Sequence, residues 1–254
     1  MTTMMERHAR TVLLTGALAI CAAAPLSAQE PAYSEEFAAS ARAWLLDNPG
    51  IMLEVFTLLE REELARKSAA DKELIAAHAD ALLRSDDPRK GNPDGPVTVV
   101  EFFDYACGYC RAALPELTAA LDGREDVAVV LKEFPILGSA SEQAARLALA
   151  IRAEHGDAAY LGFHNALLVQ SGTLNQASLE MLVGAAGFDF KTLEQRGLRE
   201  DVAARIDANR QLAQGLGISG TPAFVFEDEL VPGLMTRERL EMAFDRQKGA
   251  KAVR

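Results

Sequence analysis

Residues 97–110 read VTVVEFFDYACGYC, and this stretch decides the fold. A run of β-branched and aromatic residues over 97–103 predicts a buried strand, and a C-x-x-C pair, Cys107 and Cys110, follows at once. Residues 111–121 then read as a helix with Pro115 as a kink, and 127–134 as a second strand. A nucleophilic thiol at a strand-to-helix junction lies near unpaired backbone N–H groups and the positive end of the helix dipole, both of which favour its anion. Cys107 is therefore the expected nucleophile. Cys110, one helical turn on, is the expected resolving thiol, able to attack a mixed disulfide and release the substrate.

Downstream of that core, 139–216 is helical, with Ala144, Leu147, Ala148 and Ile151 on one face and further segments at 161–169, 179–186 and 198–212. Gly215 and Gly217 end the block. A strand at 223–227, a hairpin partner at 229–231 and a helix at 237–244 close the chain. A βαβ unit and a ββα unit around one sheet, with a helical insertion about 139–216, resemble an α/β thioredoxin layout. The catalytic domain is expected over 97–254.

Upstream, SDDPRKGNPDGP at 85–96 is dense in turn formers and reads as a linker and domain boundary. Residues 29–84 read as helices. Phe37, Ala41, Trp44 and Leu45 share one face, Asn48 is placed as N-cap of a second helix with Pro49 at its first position, and Met52, Val55, Phe56 and Leu59 form its stripe. Leu74, Ile75 and Leu82 continue the pattern. Helices so poor in apolar residues beyond Leu64 need a partner surface. Either they fold back on the catalytic domain as an arm or they form an oligomerisation stalk.

Residues 1–28 carry Arg7, His8 and Arg10, an apolar run at 12–24 and a small-residue exit at Ala28, the pattern of a cleaved secretory signal. The run falls short of the about 20 residues of a comfortable membrane span. An uncleaved anchor is the alternative, and a lipid on Cys21 is disfavoured by Ile20. Cleavage removes Cys21 and leaves one C-x-x-C pair, which in an oxidising compartment points to disulfide trading.

The chain of 254 residues is 49% hydrophobic, enough for one good core and an accessory domain. A formal net charge of −11 argues against nucleic-acid binding, which needs a basic face. No motif supports a nucleotide, flavin or haem, so no cofactor is expected beyond a redox-active Cys107–Cys110 disulfide. A structural zinc needs four ligands, and His78, His155 and His164 are scattered.

Three further residues are candidates for the site. Thr221-Pro222 precedes an apolar strand, where a cis bond would present the Thr221 backbone to an extended peptide; the alternative is an ordinary turn. Glu101 sits inside the apolar strand. It either relays a proton to or from Cys110 with a raised pKa, or alternates out to solvent. Lys132 on the second strand poses the same question.

The stretch GNPDGPVTVVEFFDYACGYCRAALPEL, with GTPAFVF near the end, resembles DsbA-like disulfide oxidoreductases, and in particular the ScsC proteins named for suppression of copper sensitivity. The resemblance implies that Glu101 is the buried acid of such proteins. Gly108-Tyr109 and the threonine before Pro222 are similar to disulfide isomerases rather than to strong oxidases. It implies a periplasmic isomerase acting on unfolded or misoxidised exported proteins, kept reduced by a membrane-embedded thiol reductant. The helices around LLDNPGIML are similar to a trimerising stalk, so a homo-oligomer, a trimer first, is expected. A DsbA-type oxidase is the alternative, and a Cu(I)-binding protein the second, since paired thiolates suit Cu(I) but no methionines stand nearby.

Overall fold

The computed structural model describes residues 33–252, so the signal sequence expected at 1–28 lies outside the described residues. The chain divides into two compact units, one ending at Thr57 and one beginning at Leu58.

The first unit holds α1 (Glu35–Asp47) and the start of α2 (Gly50–Ala77). Ser34 caps α1, its side chain accepting from the Phe37 N–H. The Asn48 carbonyl accepts from the Ile51 N–H at the start of α2, but its side chain does not cap that helix. Asn48 closes α1 instead, with backbone and side-chain N–H groups both donating to the Trp44 carbonyl. An amide side chain next to Pro49 satisfies orphan carbonyls as well as orphan N–H groups, and the pattern alone does not choose between them. No residue of α1 is buried; Phe37, Trp44 and Leu46 are all exposed.

The second unit is built on a five-stranded sheet of order β1-β3-β2-β4-β5, formed by Arg89–Gly91, Val97–Phe103, Val127–Glu133, Ala223–Val225 and Leu230–Pro232 numbered in chain order. The β2 and β3 strands are parallel, and the other pairings are antiparallel. Strands buried on both faces are mostly apolar, and β2 and β3 are so apart from Thr98, Glu101, Lys132 and Glu133. Val97, Val99 and Phe103 face α4 (Gly108–Leu121), α5 (Ser139–Val169) and α9 (Arg237–Ala252). Val100 and Phe102 pack on the other face with Ile75 of α2, Leu82 of α3 (Ala79–Leu82) and Leu212 of α8 (Glu200–Gly215).

The expected order of elements is present, with differences in detail. The stretch 85–96 is more than a linker, because β1 lies within it and extends the sheet beside β3. Its three residues, Arg-Lys-Gly, carry no strand signal; pairing with β3 imposes the conformation. At the end of β1, Gly91 has φ +80 and a Cβ there would stand 2.6 Å from the Val127 carbonyl oxygen, so only glycine fits. The first catalytic-domain helix starts at Gly108, earlier than 111, and runs through Pro115. In the helical block α5 continues across a break at Gly156, followed by α6 (Gln176–Ala185). The segment expected at 198–212 is α8, which begins at Glu200 and runs on to Gly215, and α7 (Phe190–Gly197) precedes it as a separate helix. The Asp189 carboxylate caps α7 on the Thr192 N–H, a start signal in a segment whose pattern shows little else.

Candidate functional site

The end of β2 delivers the chain into a turn, Asp104-Tyr105-Ala106, and Cys107 is the N-cap of α4. That turn is held by one buried carboxylate. Asp104 Oδ1 accepts from the Ala106 N–H at 2.7 Å and the Ser141 hydroxyl at 2.6 Å, and Oδ2 accepts from the N–H groups of Ile136 and Leu137 at 2.8 and 2.9 Å. Asp104 thus fastens the cysteine turn to the loop between β3 and α5. Sequence reading missed it, although an Asp directly after a strand, two residues before an N–H it can accept from, is the signature of an Asx-turn.

Cys107 is 7% exposed and Cys110 1%, and both are free thiols. The Cys107 Sγ donates to the Thr221 carbonyl oxygen at 3.2 Å. Thr221-Pro222 is a cis peptide bond, so the three expected residues Cys107, Thr221 and Pro222 do come together. Cys110 Sγ accepts from the Asp104 N–H at 3.5 Å. Burial pushes its thiol well above the ordinary cysteine range, against the pull of that N–H. Gly108 and Tyr109 are exposed on the first turn of α4, Tyr109 to 68%. Arg111 donates from Nη2 to the Ala106 carbonyl at 3.3 Å, bracing the turn from the helix side.

Glu101 is 4% exposed, so the solvent-facing alternative is wrong. Register explains it: Glu101 pairs with Leu131 of β3, two positions along from Val99, and shares the face under α4. Burial pushes its carboxyl up to about 7, with the Lys90 ammonium pulling the other way. Lys132 faces the opposite side, donates to the Ala81 carbonyl at 2.7 Å and forms an ion pair with Asp87, which Arg205 also engages. It ties the β1 segment to α3 and α8 rather than serving the thiols. Among the described residues no cluster of His, Cys, Asp and Glu is arranged to hold a metal ion.

A thiol at a helix N-terminus, a deeper second thiol one turn on, and a cis-proline loop against the first sulfur mark a thioredoxin-like domain. The family model of the DSBA-like thioredoxin domain matches residues 98–245, and the chain belongs to that family. It is similar to a thioredoxin-like oxidoreductase from Silicibacter pomeroyi DSS-3 at 42% identity, over 67% of this chain and 97% of that one, with a TM-score of 0.64. A linker-deleted ScsC of Proteus mirabilis matches at 29% identity, over 89% of this chain and 99% of that one, with a TM-score of 0.66. Among curated relatives, an Na(+)/H(+) antiporter NhaA 1 of Salinispora arenicola is 28% identical over 192 residues, 74% of this chain. The match covers only 29% of that antiporter's length. No helix among the described residues is long and apolar enough to cross a membrane.

Proposed function

We propose that this protein is a periplasmic disulfide isomerase that works through Cys107 and Cys110 on exported proteins carrying wrong disulfides. The observation that carries the reading is the contact of the Cys107 sulfur with the carbonyl of Thr221 at the cis-proline loop. An extended substrate pairing with that loop brings its own disulfide to the attacking sulfur.

In this mechanism the reduced protein attacks as the Cys107 thiolate. One substrate sulfur forms a bond to Cys107, and the other leaves as a thiolate. If that thiolate finds a better partner and displaces Cys107, the substrate leaves rearranged and the enzyme is unchanged. If it does not, Cys110 attacks Cys107, releases the substrate reduced and closes the Cys107–Cys110 disulfide, which the reductant must reopen. Cys110 must lose its proton to attack, and Glu101, buried on the same sheet face with a carboxyl near neutrality, is the residue proposed to accept it. Gly108 and Tyr109, exposed beside Cys107, contact the substrate chain. Gly108-Tyr109 and Thr221, as in the isomerases this sequence resembles, favour isomerisation over oxidation.

The exposed apolar residues of α1, with Phe37 and Trp44 among them, support a homo-oligomer whose catalytic domains hold one client together. Scrambled ribonuclease tests the reading. The whole protein should restore ribonuclease activity, and a variant lacking residues before Leu58 should lose that while still exchanging with glutathione. Oxidation of reduced ribonuclease without repair of the scrambled form would replace isomerase with oxidase.

A further inference from the structure

Four buried polar side chains beneath the Cys107 turn take no part in the mechanism above. Glu133, last residue of β3, is 1% exposed, and its Oε1 accepts hydrogen bonds from Tyr105 Oη at 2.7 Å and Tyr160 Oη at 2.9 Å. Its Oε2 is buried with no hydrogen-bond partner. Tyr105 Oη also lies 3.2 Å from Nδ1 of the buried His164. Edge contacts of Phe103 with Tyr105 and His164, and stacking of Tyr160 on His164, fix the rings.

A phenol has a single proton to donate, which gives this array two arrangements. With Glu133 as carboxylate, both tyrosines donate to Oε1 and His164 donates from Nδ1 to Tyr105. A proton delivered to His164 Nε2 moves the Nδ1 proton to Tyr105 Oη and the Tyr105 proton to Glu133 Oε1. Glu133 then donates to Tyr105, and Tyr105 donates to a bare Nδ1. One proton enters, the His164–Tyr105 and Tyr105–Glu133 bonds reverse while Tyr160 goes on donating to Oε1, and His164 ends neutral in its other tautomer.

The surroundings suit such a relay. Burial holds the His164 pKa down to about 3, so it stays neutral. Burial also pushes Glu133 up to about 8, against the two phenol hydrogen bonds, and the Asp104 carboxylate adds to the rise. The other charged groups near the array are Lys90 and Glu101 on the same sheet face, and Arg152 on α5. None of them forms a salt bridge with Glu133.

We infer that Glu133 is a positioning residue of the exchange reaction, which through Tyr105, two residues before Cys107, takes up a proton when the cysteine pair is reduced and returns it when the pair is oxidised. The inference rests on exchange through Cys107 and Cys110. A dithiol that reduces the pair gives up two electrons and two protons and becomes a disulfide. The Cys107–Cys110 bond breaks, leaving a thiol at Cys110 and, in the attacking form, a thiolate at Cys107 that no longer donates to Thr221. One of the two protons goes to Cys110, and the other is left for the Glu133 carboxylate, whose affinity the new negative charge raises.

The test is the equilibrium constant of the full-length protein with glutathione, measured from pH 6 to 9.5 for wild type, Glu133→Gln and Tyr105→Phe, with circular dichroism for the fold. Between pH 9 and 7 the wild type should gain about two- to fivefold more in favour of the reduced form than Glu133→Gln, the part of roughly half to one pKa unit of coupling that falls in this window. Tyr105→Phe, which keeps the ring packing, should remove most of that gain and serves alone if Glu133→Gln does not fold. Superimposable profiles for wild type and the folded variants would overturn the inference. Absence of any exchange in the wild type would instead overturn the exchange mechanism on which it rests.

Discussion

The Cys107 sulfur donates to the Thr221 carbonyl across 114 positions of sequence, at 3.2 Å. Cys107, the proposed nucleophile, is thus held at the edge of the cis-proline loop, while Cys110 lies deeper, with its thiol pushed up by burial. Iodoacetamide should modify Cys107 first, with Cys110 at least about a hundredfold slower at pH 7.5, because alkylation follows the thiolate fraction and access. Peptide mapping of partly alkylated protein checks this. Equal rates would remove the division of roles between the two thiols.

Glu101 makes stability depend on pH in a defined direction. Its folded-state pKa, about 7, lies above the ordinary value of 4.5, so the neutral acid favours folding. That contribution is complete below about pH 4.5 and is lost as the pH rises through about 7, the sign expected for a raised folded pKa. Glu101→Gln should therefore unfold at higher urea than wild type at pH 8.5, by about 2–3 kcal/mol, and within about 0.5 kcal/mol of it at pH 4. Urea titrations at the two pH values measure the difference.

Removing the Asp104 carboxylate takes the acceptor from four donors, the Ser141 hydroxyl buried and the three N–H groups half-buried. Asp104→Ala should cost about 2–4 kcal/mol of stability and slow exchange, since the Cys107 turn is no longer fastened to the loop after β3. Thermal unfolding and glutathione exchange rates together test this, and full activity in a folded variant would contradict the role given to Asp104.

The buried Lys132–Asp87 pair separates two substitutions that look equivalent. Lys132→Met leaves Asp87 with Arg205, whereas Asp87→Ala leaves the Lys132 ammonium with a backbone carbonyl alone. Asp87→Ala should destabilise by about 3–5 kcal/mol and Lys132→Met by clearly less. Urea midpoints of both variants measure the order.

Much of this was legible in sequence because strong local signals coincide with burial. The apolar run ending in Cys107-Gly108-Tyr109-Cys110 specified strand, turn and helix together, and Thr221-Pro222 stood at the mouth of the next strand. The buried sheet face of Glu101 was not legible, because β2 is apolar on both faces and alternation gives no direction; only its register with Leu131 does. For the same reason Glu133 escaped notice, although it is a second acid in an apolar strand. The β1 strand was read as a linker because a three-residue edge strand draws its conformation from its neighbour. Ile75 and Leu82 belong to the core of the second unit, so a deletion ending at Ser85 would strip that core, whereas one ending at Thr57 spares it.

The measurement that tests the account most directly is capture of the mixed disulfide. Cys110→Ser protein, incubated with scrambled ribonuclease and acid-quenched, should accumulate a covalent complex whose every protein-side link maps to Cys107 by mass spectrometry. Cys107→Ser should form none. Accumulation through Cys110, or equal capture by both variants, would contradict Cys107 as the attacking thiol and with it the mechanism built on the Thr221 contact.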